Sequence, residues 1–118
     1  MTVSARFLAA VLLSAATCAA ENLVVGKWNC MNKPDTGDER PWTLLVREAG
    51  ADLTGLLTDG EAEIPLSQVT LDSDSFSFRF EVNGKPYQFK GKADAKTVVG
   101  RYSGEEATGA LHCEKPAT

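Results

Sequence analysis

Histidine is almost missing from this chain: His112 is the only one in 118 residues, and the three cysteines, Cys18, Cys30 and Cys113, never fall in a C-x-x-C spacing. A zinc centre draws on four closely spaced thiolates and imidazoles, so no metal site is expected. His112 has no nucleophile motif to serve, and a structural role at the surface is expected of it. Glu61 and Glu63 alternate outward beside a turn, as solvated carboxylates do. Asp35, Asp38 and Glu39 do not match the spacing of a calcium loop. The glycines sit inside extended runs rather than ahead of a helix, which rules out a phosphate cradle. No catalytic residues, no cofactor and no enzymatic activity are therefore expected.

Positive charge is also scarce. Twelve basic side chains face sixteen acidic ones, and the lysines are scattered. That is not the footprint of a nucleic-acid binder, nor of a polybasic membrane binder. No apolar run approaches the roughly 20 residues of a transmembrane helix.

One short apolar run does stand out. Arg6 precedes Phe7–Leu13, and small residues lead through Cys18 and Ala20 to Glu21. This order is that of a secretory signal peptide over residues 1–20, cleaved after Ala20. Lipidation of Cys18 is the alternative, although Thr17 departs from the small residue usual before a lipidated cysteine. Export to the periplasm or the extracellular space follows, with residues 21–118 as one domain. It leaves Cys30 and Cys113 as an even pair in an oxidising compartment, where a disulfide is expected.

From Leu23 onward the hydrophobic period is two. Val24, Gly26, Trp28 and Cys30 are in phase, as are Trp42, Leu44 and Val46; Leu53–Leu57 follows. Phe76, Phe78, Phe80 and Val82 alternate with Ser75, Ser77, Arg79 and Glu81. Tyr87–Ala93, Val98–Tyr102 and Ala107–Cys113 repeat the pattern. The fourth run changes phase between Leu66 and Val69, which predicts a bulge near Ser67-Gln68; Pro65 suits an edge or bulge. Asp59-Gly60 and Asn83-Gly84 predict type I′ hairpins. The segment from Met31 to Pro41 reads as a solvated loop. Eight strands, no helix and short turns describe an all-β, up-and-down antiparallel meander.

Five runs carry a glycine in phase with the buried set: Gly26, Gly55, Gly91, Gly100 and Gly109. Inward glycines let a sheet curl until its edges meet; in a flat sandwich they would instead lie under large side chains. Cys30 in the first strand and Cys113 in the last favour closure. Eight strands make the closing pair antiparallel, which requires residues after Cys30 to pair with those before Cys113; an odd count would make it parallel. Trp28, Trp42, Phe76, Phe78, Phe80, Tyr87, Phe89 and Tyr102 all fall on the buried phase. A barrel of this size is either filled by side chains or holds one small molecule. Filling is favoured, and an internal pocket of at least about 300 Å³ would point instead to a carrier.

Gly26-Lys27-Trp28 opening the first strand resembles the Gly-x-Trp start of lipocalin-like (calycin) barrels, and short secreted bacterial barrels share it along with in-strand glycines. The resemblance implies a closed eight-strand barrel with a small hydrophobic ligand inside; a monomer is expected. Trp28, Trp42, Phe78, Tyr87, Phe89 and Tyr102 are the lining residues to expect. Lys115 stands nearest the place where such barrels set an arginine over the tryptophan. The size, the opening tryptophan and the single disulfide also resemble bacterial inhibitors of secreted metalloproteases. The alternative function is thus a protein-binding or envelope-structural module acting through its exterior and the 31–41 loop.

Overall fold

The computed structural model describes residues 22–116. The expected signal segment and Cys18 lie outside them. A short 3-10 turn, Asn22–Val24, leads into nine strand segments: β1 (Gly26–Pro34), β2 (Arg40–Ala49), β3 (Asp52–Thr58), β4 (Glu63–Pro65), β5 (Ser67–Asp72), β6 (Ser75–Val82), β7 (Lys85–Ala93), β8 (Thr97–Gly104) and β9 (Thr108–Glu114). Neighbours in sequence pair antiparallel except β4 with β5, and β1 pairs with β9. β4 and β5 both pair with β3 and are two halves of one bent strand. The result is a closed eight-strand up-and-down barrel.

The bend lies where the phase change put it. The register between β5 and β6 shifts between Ser67 and Thr70, and Gln68 takes a φ of 50°. The Leu66 amide, freed from the ladder, donates to the Gly55 carbonyl at 2.9 Å. One extra residue thereby keeps both Leu66 and Val69 turned toward the core.

Closure uses the anticipated stagger. Cys30 stands opposite Cys113, Met31 opposite His112, Asn32 opposite Leu111 and Pro34 opposite Gly109. Cys30 and Cys113 are disulfide-bonded across the closing pair. The expected 31–41 loop shrinks accordingly. Residues 31–34 belong to β1, because the shear of the barrel carries that strand past the disulfide to meet β9. Only 35–39 form the connection.

Turn chemistry corrects one hairpin and supports another. Asn83 and Gly84 both have positive φ, 55° and 79°, between the paired Val82 and Lys85. Asp59-Gly60 is not a type I′ turn. It opens a four-residue loop between the paired Thr58 and Glu63 in which only Gly60 has positive φ. Asp59 Oδ1 accepts from the Glu61 and Ala62 amides at 2.9 and 2.8 Å, and the Thr58 hydroxyl donates to the Ala62 carbonyl at 2.8 Å. Those side-chain bonds select the wider loop.

Aspartate capping makes the barrel acid-sensitive. The Ala62 and Glu61 amides hold the Asp59 carboxyl below its ordinary value, and the Lys96 and Thr97 amides do the same for Asp94. Arg101, then Thr108, lowers Asp35. A carboxyl depressed by folding stabilises fully above its unfolded pKa, and that contribution is lost as pH falls through the folded value. The melting temperature is therefore expected to drop as the pH falls below about 3.9. Asp94→Asn should flatten that acid limb in a Tm–pH series; an unchanged slope would refute the assignment.

Trp28, Phe76, Phe78, Phe89, Leu44, Val46, Val98 and Cys113 fill the centre and one end of the barrel. Val24 is carried under that end by the 3-10 turn and is fully buried. Trp28 Nε1 donates to the Val24 carbonyl at 2.9 Å. Lys115 Nζ lies 4.9 Å from the Trp28 ring centroid and donates to the Val25 carbonyl at 3.0 Å, closing the floor over the indole.

The inward glycines serve packing within a closed barrel, so both readings of them contribute. Gly91 and Gly100 are cross-strand partners. A methyl built on either would stand 2.9 or 2.7 Å from Phe89 Cζ. Tyr87 lies over Gly104, and Tyr102 over Gly109, its own partner in the ladder. Each ring crosses a neighbouring strand at a place where no side chain blocks it.

Candidate functional site

The aromatic residues form a ladder along the barrel axis. Phe76 meets Phe78 edge-on at 5.6 Å near the floor. Phe78 and Phe89, paired across β6 and β7, stack at 4.7 Å with 17° between planes. Phe80 and Tyr87, the next inward pair, stack at 5.3 Å and 11°. Tyr102 stands 6.4 Å from Phe80 and 6.3 Å from Tyr87. Burial falls along the same line. The Phe78–Phe89 layer is fully enclosed, whereas Phe80, Tyr87, Tyr102 and Trp42 are only half-buried.

That gradient marks a cavity of about 230 Å³ at the end opposite the Trp28 floor. Phe78 and Phe89 form its base. Phe80, Tyr87, Tyr102, Trp42, Leu57, Ile64, Val82, Ala107 and Leu111 form its walls, with Asn32 as the one side chain among them that is polar throughout. Of the six expected lining residues, Trp42, Phe78, Tyr87, Phe89 and Tyr102 come together here. Trp28 does not; it belongs to the sealed floor. The interior is thus filled at one end and hollow at the other, and the hollow is smaller than the expected 300 Å³.

Sequence reasoning missed Asn32, which it placed in the loop. Extending the period of two from Trp28 through Cys30 would have set it inward. Burial is the first cause that pushes the Tyr102 phenol above its ordinary value, and a side-chain hydrogen bond with Asn32 opposes it. The phenol therefore stays protonated at neutral pH. Asn32 Oδ1 is shielded from water and has no hydrogen-bond partner.

The rim is held by polar ties between loops. The Asp35 amide donates to the Thr108 carbonyl at 3.0 Å, and Arg101 Nη2 reaches Asp35 Oδ2 at 2.6 Å. The Thr108 hydroxyl donates to the same carboxylate. Lys85, beside the β6–β7 turn, pairs with Glu106 of the β8–β9 loop. Exposed ion pairs contribute little stability one by one, but here they fix the position of connections around the opening.

Elsewhere the wall is solvated. Arg79, Lys90, Lys92 and Arg101 point outward and are exposed, unlike the apolar band of a barrel embedded in lipid. His112 also points outward, with Glu114 Oε2 at 3.2 Å. Among the described residues no group of three or more His, Cys, Asp or Glu is arranged to hold a metal ion. No protein-family model matches the chain, and no curated protein matches it.

Proposed function

We propose that this is an exported, non-enzymatic, lipocalin-like barrel that binds a small hydrophobic molecule in the cavity beside Trp42. The observation that carries the reading is the half-empty interior: stacked, half-buried aromatic rings line a 230 Å³ hollow under a tied rim. Covering those rings is favourable at about 25 cal/mol per Å² of apolar surface. The disulfide supports an oxidising, extracytoplasmic setting. Among the described strands all but the three-residue β4 are paired on both sides, which leaves little edge for another chain and supports a monomer. His112 points outward from the wall and is not among the residues lining the cavity, which supports a role without catalysis.

Size narrows the ligand. An apolar cavity of about 150 Å³ accommodates benzene, so this one suits roughly nine or ten non-hydrogen atoms, a fused bicyclic ring rather than a long acyl chain. A dissociation constant of about 10–100 μM, near −6 kcal/mol, is expected for such a molecule. Trp42 lines the cavity and Trp28 does not, so titration with naphthalene derivatives should change tryptophan emission saturably. The change should vanish in Trp42→Phe. Val82→Trp, which fills the opening, should weaken binding at least about tenfold by calorimetry. Absence of saturable binding to the wild-type protein would overturn the reading. The exterior alternative has less support: among the described residues the exposed large apolar side chains are Met31 at 41% and Val99 at 45%, one on either side of His112, too small a patch to mark a docking face.

A further inference from the structure

Asn32 is out of place in its row. The inward positions before it on β1 are Trp28 and Cys30, both buried, and its partner across the closing pair is the buried Leu111. Pointing outward, an amide here would be hydrated without penalty. Pointing inward, it surrenders water and leaves Oδ1 without a partner. A shielded acceptor of that kind destabilises the empty protein, and it calls for a ligand or a water to complete it.

We propose that the cavity selects small planar aromatics bearing an N–H or O–H donor, and that Asn32 Oδ1 accepts from that donor. This inference rests on the cavity-binding reading above and adds the chemistry of the ligand. Planarity comes from the walls. The Phe80 and Tyr87 rings lie within 11° of parallel, so the half-buried layer above the enclosed Phe78–Phe89 base is flat rather than a rounded bowl. Donor preference comes from the inventory of the lining. Tyr102 and Tyr87 carry hydroxyls, which donate or accept as required. Asn32 Oδ1 accepts only. The terminal torsion of asparagine is broad, so rotation of the amide turns Oδ1 to the hollow when a donor enters it. An arene without a donor fills the same space but leaves that oxygen orphaned, and discrimination by an unpaired buried group exceeds that by shape alone.

Isothermal titration with indole, indene and quinoline separates the terms, since all three fit the volume while presenting a donor, neither group, and an acceptor. The wild-type protein should bind indole about tenfold more tightly than indene. Asn32→Leu, close in shape and apolar, should bring that ratio to within about twofold. Equal binding of indole and indene to the wild-type protein overturns the inference while leaving the cavity reading intact. So does quinoline binding more tightly than indole, and so does a preference for indole that persists in a folded Asn32→Leu protein. Failure of all three ligands to bind overturns the cavity reading itself. The ligand comparison on the wild-type protein stands even if the variant does not fold.

Discussion

Replacing Cys30 and Cys113 together by alanine is expected to lower the unfolding free energy by about 4–5 kcal/mol, the chain-entropy value for a loop of this length. The two cysteines are 83 residues apart in sequence and close the barrel between its first and last strands. Without the bond, the unfolded chain regains the freedom of nearly the whole domain. The β1–β9 pairing must then be found by two chain ends instead of being built in. A domain of this size has little stability to spare. The melting temperature should fall by roughly 15–40 °C, at about 4–8 °C per kcal/mol. Alanine is the right replacement because both sites face the core, and a serine hydroxyl there would need a partner. Denaturant titration of the wild-type and double-alanine proteins measures the loss directly. A difference below about 1 kcal/mol would mean that the bond does not restrain the unfolded chain as this closure requires.

Trp28→Ala is expected to cost about 3–5 kcal/mol, in the range of large aromatic deletions from a packed core. The indole is fully buried and hydrogen-bonds the Val24 carbonyl. Lys115 covers its face and is held by the Val25 carbonyl. Truncation therefore removes packing, orphans a shielded carbonyl and leaves the ammonium group over a void. Trp28→Phe keeps most of the volume and should cost about half as much or less. Because Trp28 lies at the floor, naphthalene binding at the other end should persist in Trp28→Phe at temperatures where the protein stays folded. Circular dichroism is the suitable probe, since the substitution removes one of the two tryptophan signals. A cost below about 1 kcal/mol would show that the floor is not sealed by this ring.

Asn32 ties stability to function in the opposite direction. Removing an unsatisfied acceptor from an apolar row should make Asn32→Leu as stable as the wild-type protein or more so, by up to about 1–3 kcal/mol. A binding site that is strained when empty has that signature.

Much of the barrel is legible in the residues, and the reasons are local. Phe76, Phe78 and Phe80 alternating with Ser77 and Arg79 admit one face to the core whatever the partners are. Asn83-Gly84 accepts two positive φ angles, and the hairpin forms on it. The phase slip between Leu66 and Val69 requires an inserted residue, and the bulge lies there. Asp59-Gly60 misled because the identity of a turn depends on more than its dipeptide. The Thr58 hydroxyl and the Asp59 carboxylate bond their own neighbours and hold a wider loop open. Asn32 misled for a different reason: its polarity, beside Lys33, Pro34 and Asp35, outweighed the period of two that continues through it.

Alternation, turn chemistry and two cysteines in the outer strands were enough to determine an antiparallel meander and which face of each strand is hidden. They act over a few residues, so they survive any arrangement of the whole. The tertiary structure alone decided how far β1 slides past β9, and with it which end of the interior is plugged. The shear of a closed barrel depends on all eight strands at once, and it places Val24 and Trp28 in the floor while leaving Trp42, Tyr87, Tyr102 and Asn32 around a hollow.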